Sequence, residues 1–209
     1  MSRRSALALV IGAILGVGAA AGALWVSLGD GSSATGSGQY RGSEPPPGIA
    51  MSDFSLRNHD GRLVRSSDLR GRVTILTFLD SQCTESCPVI AWTVARTLDA
   101  LTREERRNVR AVAISTDPSE DTPRSMRSFL KRGRAVGRLL YLGGGQPERE
   151  LRDVWAAFKV LSSLESGQDA LHSAPVRIYD REGTWVATLH AGADLTEANL
   201  AHDIRLAWR

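Results

Sequence analysis

A run of seven apolar and β-branched residues, Val73-Thr-Ile-Leu-Thr-Phe-Leu79, leads directly into Asp80-Ser-Gln-Cys83-Thr-Glu-Ser-Cys87-Pro88. An amphipathic stretch follows from Pro88 to Leu101. The order reads as strand, loop, helix. A strand apolar along its whole length is a buried one, so the chain must supply cover for both of its faces. Pro88 suits a first helical turn, where its missing N–H costs nothing. Ile90, Val94, Leu98 and Leu101 recur at helical spacing with Trp92 near the same face, and the stripe reads as core.

The same alternation continues. Val109–Ile114 is a second buried-type strand, ending in Ser115-Thr-Asp117-Pro118. Thr122-Pro123 supplies an N-cap and first residue for a helix with Met126, Phe129 and Leu130 inward and Gly133 closing it. Leu139–Leu142 is a third strand, broken by Gly143-Gly-Gly145, which lacks the lysine and hydroxyl of a phosphate loop and reads as a plain loop. Pro147 opens a helix with Leu151, Val154, Trp155 and Phe158 inward. Residues 160–171 look irregular. Pro175–Tyr179 and Trp185–His190 form a hairpin through Asp180-Arg-Glu-Gly183. A last helix starts at Thr196, with Leu195 and Leu200 as a hydrophobic staple and Leu200, Ile204 and Trp208 facing the sheet. Upstream, Asp60-Gly61 marks a further hairpin between Phe54–Leu56 and Arg62–Val64. The sum is an α/β thioredoxin-like fold: a central mixed sheet flanked by helices, with an N-terminal hairpin extension.

Cys83 and Cys87 are the two cysteines of the chain. Free N–H groups at a helix start favour thiolate over thiol, and the thiolate is both nucleophile and metal ligand. The pair is therefore either a redox dithiol or two soft ligands of a metal site. A structural staple is the poorer reading, since secreted domains that rely on disulfides carry more of them.

Arg3-Arg4 precede Ala6–Leu28, which contains no charged residue and would span a bilayer core as a helix at about 1.5 Å per residue. Positive charge before it predicts N-in, C-out insertion. The length, and the lack of a small-x-small site after Leu28, favour a retained anchor over a cleaved signal. This gives an anchor over 1–28, a Gly/Ser/Pro tether over 29–48 and a domain over 49–209. The protein is then single-pass in the cytoplasmic membrane with its domain on the periplasmic side. Net charge is +3, but the arginines are scattered without interleaved aromatics, which argues against nucleic acid.

Three segments together resemble the SCO/SenC copper-chaperone family: Thr77-Phe78 into Cys83-x-x-x-Cys87-Pro88, Ser115-Thr-Asp117-Pro118 with Asp121-Thr122-Pro123, and His172-Ser173 ahead of Asp180 and Gly183. The likeness covers about Phe54 to Trp208. It implies a membrane-tethered thioredoxin-fold protein, a carrier rather than a turnover enzyme, that binds copper through Cys83, Cys87 and His172. It also implies delivery to the CuA subunit of cytochrome c oxidase, with other copper chaperones or thiol reductases as further partners. The chemistry is consistent: Cu(I) is soft and takes thiolates with imidazole as a third ligand, whereas zinc would want a fourth ligand or water. Thr84-Glu85-Ser86 and Asp80-Ser81-Gln82 depart from the family pattern, and Pro175 stands where thioredoxins carry their cis-proline. The alternative is an exported thiol–disulfide oxidoreductase or thiol peroxidase with Cys83 attacking and Cys87 resolving.

Of the other histidines, His59 reads as a hairpin-loop residue, His190 as a strand end and His202 as a helix-surface residue. Glu85, between the thiols, is expected to raise their pKa and favour a bound cation. Asp117 and Asp121 read as turn and cap residues, not ligands.

Overall fold

The computed structural model describes residues 39–160 and 174–209. The hairpin at Asp60-Gly61 forms as expected, with β1 (Ser55–Arg57) antiparallel to β2 (Leu63–Arg65) and Leu56 opposite Val64. A 3-10 turn over Ser66–Leu69 precedes β3 (Val73–Leu79), which is buried at every position. Then come α1 (Ser86–Ala100), α2 (Arg103–Arg107), β4 (Val109–Ser115), α3 (Pro123–Arg132), β5 (Leu140–Leu142), α4 (Glu148–Ala157), β6 (Val176–Tyr179), β7 (Trp185–Leu189) and α5 (Glu197–Ala207). The five-stranded sheet has the order β5-β4-β3-β6-β7. β3 runs parallel to β4 and β4 to β5, while β6 pairs antiparallel with both β3 and β7. This is the mixed sheet expected from the element order.

Each face of the sheet has its own core, because side chains alternate along the strands. Val73, Ile75 and Leu79 pack with Ile90, Val94 and Leu98 of α1, Phe129 of α3 and Leu200 of α5. Leu76, Phe78, Val112 and Ile114 pack on the other side with Trp155 of α4, Phe158 and the N-terminal Phe54 and Leu56. The caps are those the sequence signals: Thr122 accepts from Ser125 N at 3.2 Å and Thr196 from Asn199 N at 3.1 Å.

The N-terminal segment covers both edges of the sheet. Ser43 and Thr188 of β7 exchange two backbone hydrogen bonds of 2.9 Å, Trp185 N donates to Ile49 O and Met51 N to Gly183 O. The carboxylate of Asp203, fully buried in α5, accepts from Arg41 N at 2.8 Å and Gly42 N at 2.9 Å. A Cβ at Gly42 would lie 2.5 Å from the Thr188 carbonyl oxygen, so this approach needs glycine. At the far edge His59 N donates to Tyr141 O and Gly143 N to Arg57 O. The last residues of the expected tether thus already pair with the domain.

One expectation is corrected. Trp92 is 41% exposed rather than core, with the Arg96 guanidinium 5.7 Å from its ring. It lies two residues, about 200° of helix, from both Ile90 and Val94, so it points away from their stripe. His59 lies in the hairpin loop as expected, and is also buried, with its Nδ1 accepting from Tyr141 N at 3.3 Å. The short helix α2 was not anticipated, although Thr102 and Glu105 form a reciprocal capping box that the sequence spells out. Among the described residues no helix is long and apolar enough to cross a membrane. The expected anchor, Ala6–Leu28, lies outside the described residues.

Candidate metal centre

The cysteine loop begins where β3 ends. Leu79 O accepts from Thr116 N at 3.0 Å, tying the strand end to the segment after β4. Asp80 then folds the chain back: its Oδ1 accepts from Gln82 N at 2.7 Å and its carbonyl from Cys83 N at 3.3 Å. The local bond is an Asx turn, the feature aspartate forms most readily. It brings Cys83 round to the start of α1.

No side chain caps α1: Glu85 occupies the N-cap position and its carboxylate makes no capping bond. The Cys83 sulfur takes that place instead. Burial raises the Cys83 pKa, but the backbone N–H groups of Cys87 and Glu85 and the side chains of Cys87 and Ser86 outweigh it, so the thiol sits below its ordinary value. Ser86 Oγ lies 4.0 Å from the sulfur. Cys83 is half-buried and Cys87 is buried, and neither is in a disulfide. Burial pushes the Cys87 thiol up to about 12, opposed by the Asp80 backbone and reinforced by the charges of Cys83 and Asp80. One turn of helix therefore carries two thiols of opposite tendency, one accessible and readily ionised, one sheltered and protonated. The carboxylate that bears on Cys87 is that of Asp80. Glu85, expected to fill this role, is exposed and acts on Cys83 through its backbone N–H.

Behind the loop stands a residue that sequence reasoning undervalued. Asp121 is fully buried. Its Oδ1 accepts from Ser81 N at 2.8 Å, and its Oδ2 from Ser115 Oγ at 2.7 Å and Tyr141 OH at 2.8 Å. One carboxylate thus joins the cysteine loop to the ends of β4 and β5. Burial raises its pKa against these three bonds. Arg132 Nη2 holds the same loop from another side, donating to Ser81 O at 3.1 Å. The turn and cap roles belong to neighbours: Asp117 Oδ1 accepts from Ser119 N and Glu120 N at 3.2 Å each, and Thr122 caps α3. Gly144, expected to be mere loop, packs so closely on this segment that a Cβ there would fall 1.7 Å from Asp121 O.

His172 lies outside the described residues, and among those described no three His, Cys, Asp or Glu side chains are grouped to hold a metal ion. The His202 ring is occupied elsewhere, its Nδ1 2.8 Å from Asp203 Oδ1, and His190 follows the end of β7, where its backbone N donates to Asp194 Oδ1 at 2.5 Å. Pro175 is half-buried just before β6, and the described residues contain no cis peptide bond.

A SCO1/SenC family model matches residues 43–209. SCO2-like protein RT0576 of Rickettsia typhi is 24% identical over 139 residues, covering 64% of this chain and 66% of that protein. SCO2-like protein RC0895 of Rickettsia conorii is 26% identical over 117 residues, 56% of this chain and 55% of that one. The chain thus matches between about half and two thirds of the length of these relatives. The structure of Bradyrhizobium japonicum ScoI with copper bound superposes with a TM-score of 0.63 at 24% identity, covering 77% of this chain and all of that one, a likeness of fold. The family match takes in nearly the whole folded region, from the Ser43 bridge on the edge of β7 to the C-terminal residue, and on that extent this chain belongs to the SCO1/SenC family.

Proposed function

We propose that this protein is a copper carrier that supplies the CuA centre of cytochrome c oxidase, holding the metal as cargo on the thiolates of Cys83 and Cys87 with the imidazole of His172 as third ligand. The N-terminal apolar segment tethers it to the cytoplasmic membrane with the domain on the periplasmic side. The observation that carries the reading is the pair of unbridged sulfurs on the first turn of α1. Cys83 is poised to lose its proton and meet an incoming soft cation. Cys87 keeps its proton until a cation displaces it. Loading with Cu(I) would thus release protons from thiols to solvent, and a site at a partly exposed helix start leaves room for a recipient's thiolate.

Strand register supports the third ligand. β6 runs antiparallel to β3 with Leu76 opposite Arg177. The same register carried three residues further sets Ala174 level with Leu79, the residue from which the cysteine loop departs. β6 is thus entered at the loop's end of the sheet, and Ala174 follows His172 by two positions in sequence.

The uneven thiols also favour a second reading, a thiol–disulfide oxidoreductase in which Cys83 attacks and Cys87 resolves. One experiment separates the two. The reduced full-length protein is reconstituted with Cu(I) and analysed for metal beside His172→Ala and Cys83→Ser. One copper per chain, weakened by His172→Ala and abolished by Cys83→Ser, supports the carrier. A protein that takes up no copper, yet reduces a disulfide substrate equally well with or without His172, is an oxidoreductase.

A further inference from the structure

Folding gathers cations that the sequence scatters. A cleft of about 680 Å³ opens between α1, α3 and the starts of β4 and β5. Arg106, Arg110, Arg127, Lys131 and Arg138 line it, and Asp60 is the one carboxylate among the described lining residues. Its lining is also apolar: beside the buried Leu98, Val109, Leu130 and Leu139 stands Val136, which is 62% exposed. It stands apart from the dithiol. The cysteines follow the C-terminal end of β3, whereas Val109 and Arg110 begin β4, which runs parallel to β3. Along α1, Cys87 and Leu98 are separated by about 16 Å of helix rise.

Three of the five cations are fixed. Arg138 Nε lies 2.5 Å and Arg106 Nη1 3.6 Å from the same Asp99 Oδ1. Arg127 Nη1 donates to His59 O at 2.5 Å. Arg110 and Lys131 have no ion-pair partner among the described residues. Burial and neighbouring Arg72 lower the pKa of Arg110, so its charge stands uncompensated in the fold.

Guanidinium forks held in place suit the oxygens of a phosphate. The apolar lining asks for more than inorganic phosphate, because a bare oxyanion would leave Val136 wet. We propose that this cleft binds a phosphate group carried on an apolar body, whether a phospholipid headgroup or a soluble phosphate ester. This is a binding site additional to the dithiol, and it stands whichever reading of the dithiol holds.

The test uses the full chain in nonionic detergent, titrated by calorimetry with short-chain phosphatidylglycerol, short-chain phosphatidylcholine, phenyl phosphate and inorganic phosphate. The paired variant Arg110→Gln, Lys131→Gln changes two exposed residues, and its melting temperature is checked against the parent. Phosphatidylglycerol or phenyl phosphate should bind more tightly than phosphatidylcholine or inorganic phosphate, and the variant should weaken that binding roughly tenfold. Preference for phosphatidylglycerol assigns the lipid source, and preference for phenyl phosphate the soluble one. Binding of neither, or equal binding by parent and variant, overturns the proposal.

Discussion

Asp121→Ala and Asp121→Asn should part company, and the size of the gap follows from three hydrogen bonds. Alanine leaves Ser81 N, Ser115 Oγ and Tyr141 OH without their acceptor in a fully buried place. A buried hydrogen bond to a charged group contributes about 1.5–3 kcal/mol, and three on one carboxylate are not additive. The two hydroxyls can turn to other acceptors, but the Ser81 N–H cannot. The loss should come to about 3–5 kcal/mol, or roughly 6–20 °C in Tm for a domain of this size. Asparagine behaves differently. Its amide oxygen can accept from Ser81 N while its NH2 donates to the hydroxyls of Ser115 and Tyr141, which accept as well as donate. It also removes a charge whose burial is unfavourable, as the raised pKa of Asp121 shows. Its cost should stay within about 1 kcal/mol. Urea unfolding of the reduced protein, followed by circular dichroism, reads both. If alanine costs no more than asparagine, the account of Asp121 as the tie between loop and sheet is wrong.

The thiols make their own predictions. Iodoacetamide at neutral pH should label Cys83 and spare Cys87, which is 2% exposed with a pKa near 12, as mapped by mass spectrometry; equal labelling would refute the asymmetry. If copper binds as proposed, its apparent affinity should rise at least about tenfold per pH unit between pH 7 and 9, because Cys87 must surrender a proton throughout that range and Cys83 adds to the slope wherever it is still protonated. A competition titration showing a flat profile would exclude Cys87 as a thiolate ligand. The bond from Arg205 Nε to Glu105 Oε1, 2.6 Å, joins α5 to α2 and, as the larger of several effects, lowers the Glu105 pKa from 4.5 to about 2. A depressed folded pKa stabilises above the unfolded value and ceases to do so as pH falls towards 2. Arg205→Gln should therefore cost about 0.5–1 kcal/mol at pH 6, the scale of a surface pair, with most of the difference gone by pH 2.5 in urea titrations.

What the sequence disclosed was local. Thr122 and Thr196 announce their helices because a cap is settled by residues within one turn. The apolar β3 announces a strand covered on both sides for the same kind of reason. Thr102 and Glu105 carried an equally local signal for α2. Trp92 is close to the apolar stripe in sequence but not in angle, and it is the angle around the helix that decides burial. Asp121 and His59 could not be read this way. Their burial depends on Ser81, 40 positions upstream, and on Tyr141, 82 positions downstream. The Cys83–Cys87 pair was legible as chemistry. Which thiol ionises was not, because that is decided by the depth of each sulfur and by which N–H groups point at it.

The N-terminal segment has a consequence for behaviour at high concentration. The sheet ends at β7 on one side and at three-residue β5 on the other. Either could template an incoming chain through its unpaired backbone groups. Ser43 and Ile49 already occupy the first border, and Arg57 and His59 the second. A chain cut after residue 59 would uncover both borders at once, leaving open the backbone positions that the intact N-terminal segment fills and that a second molecule would need.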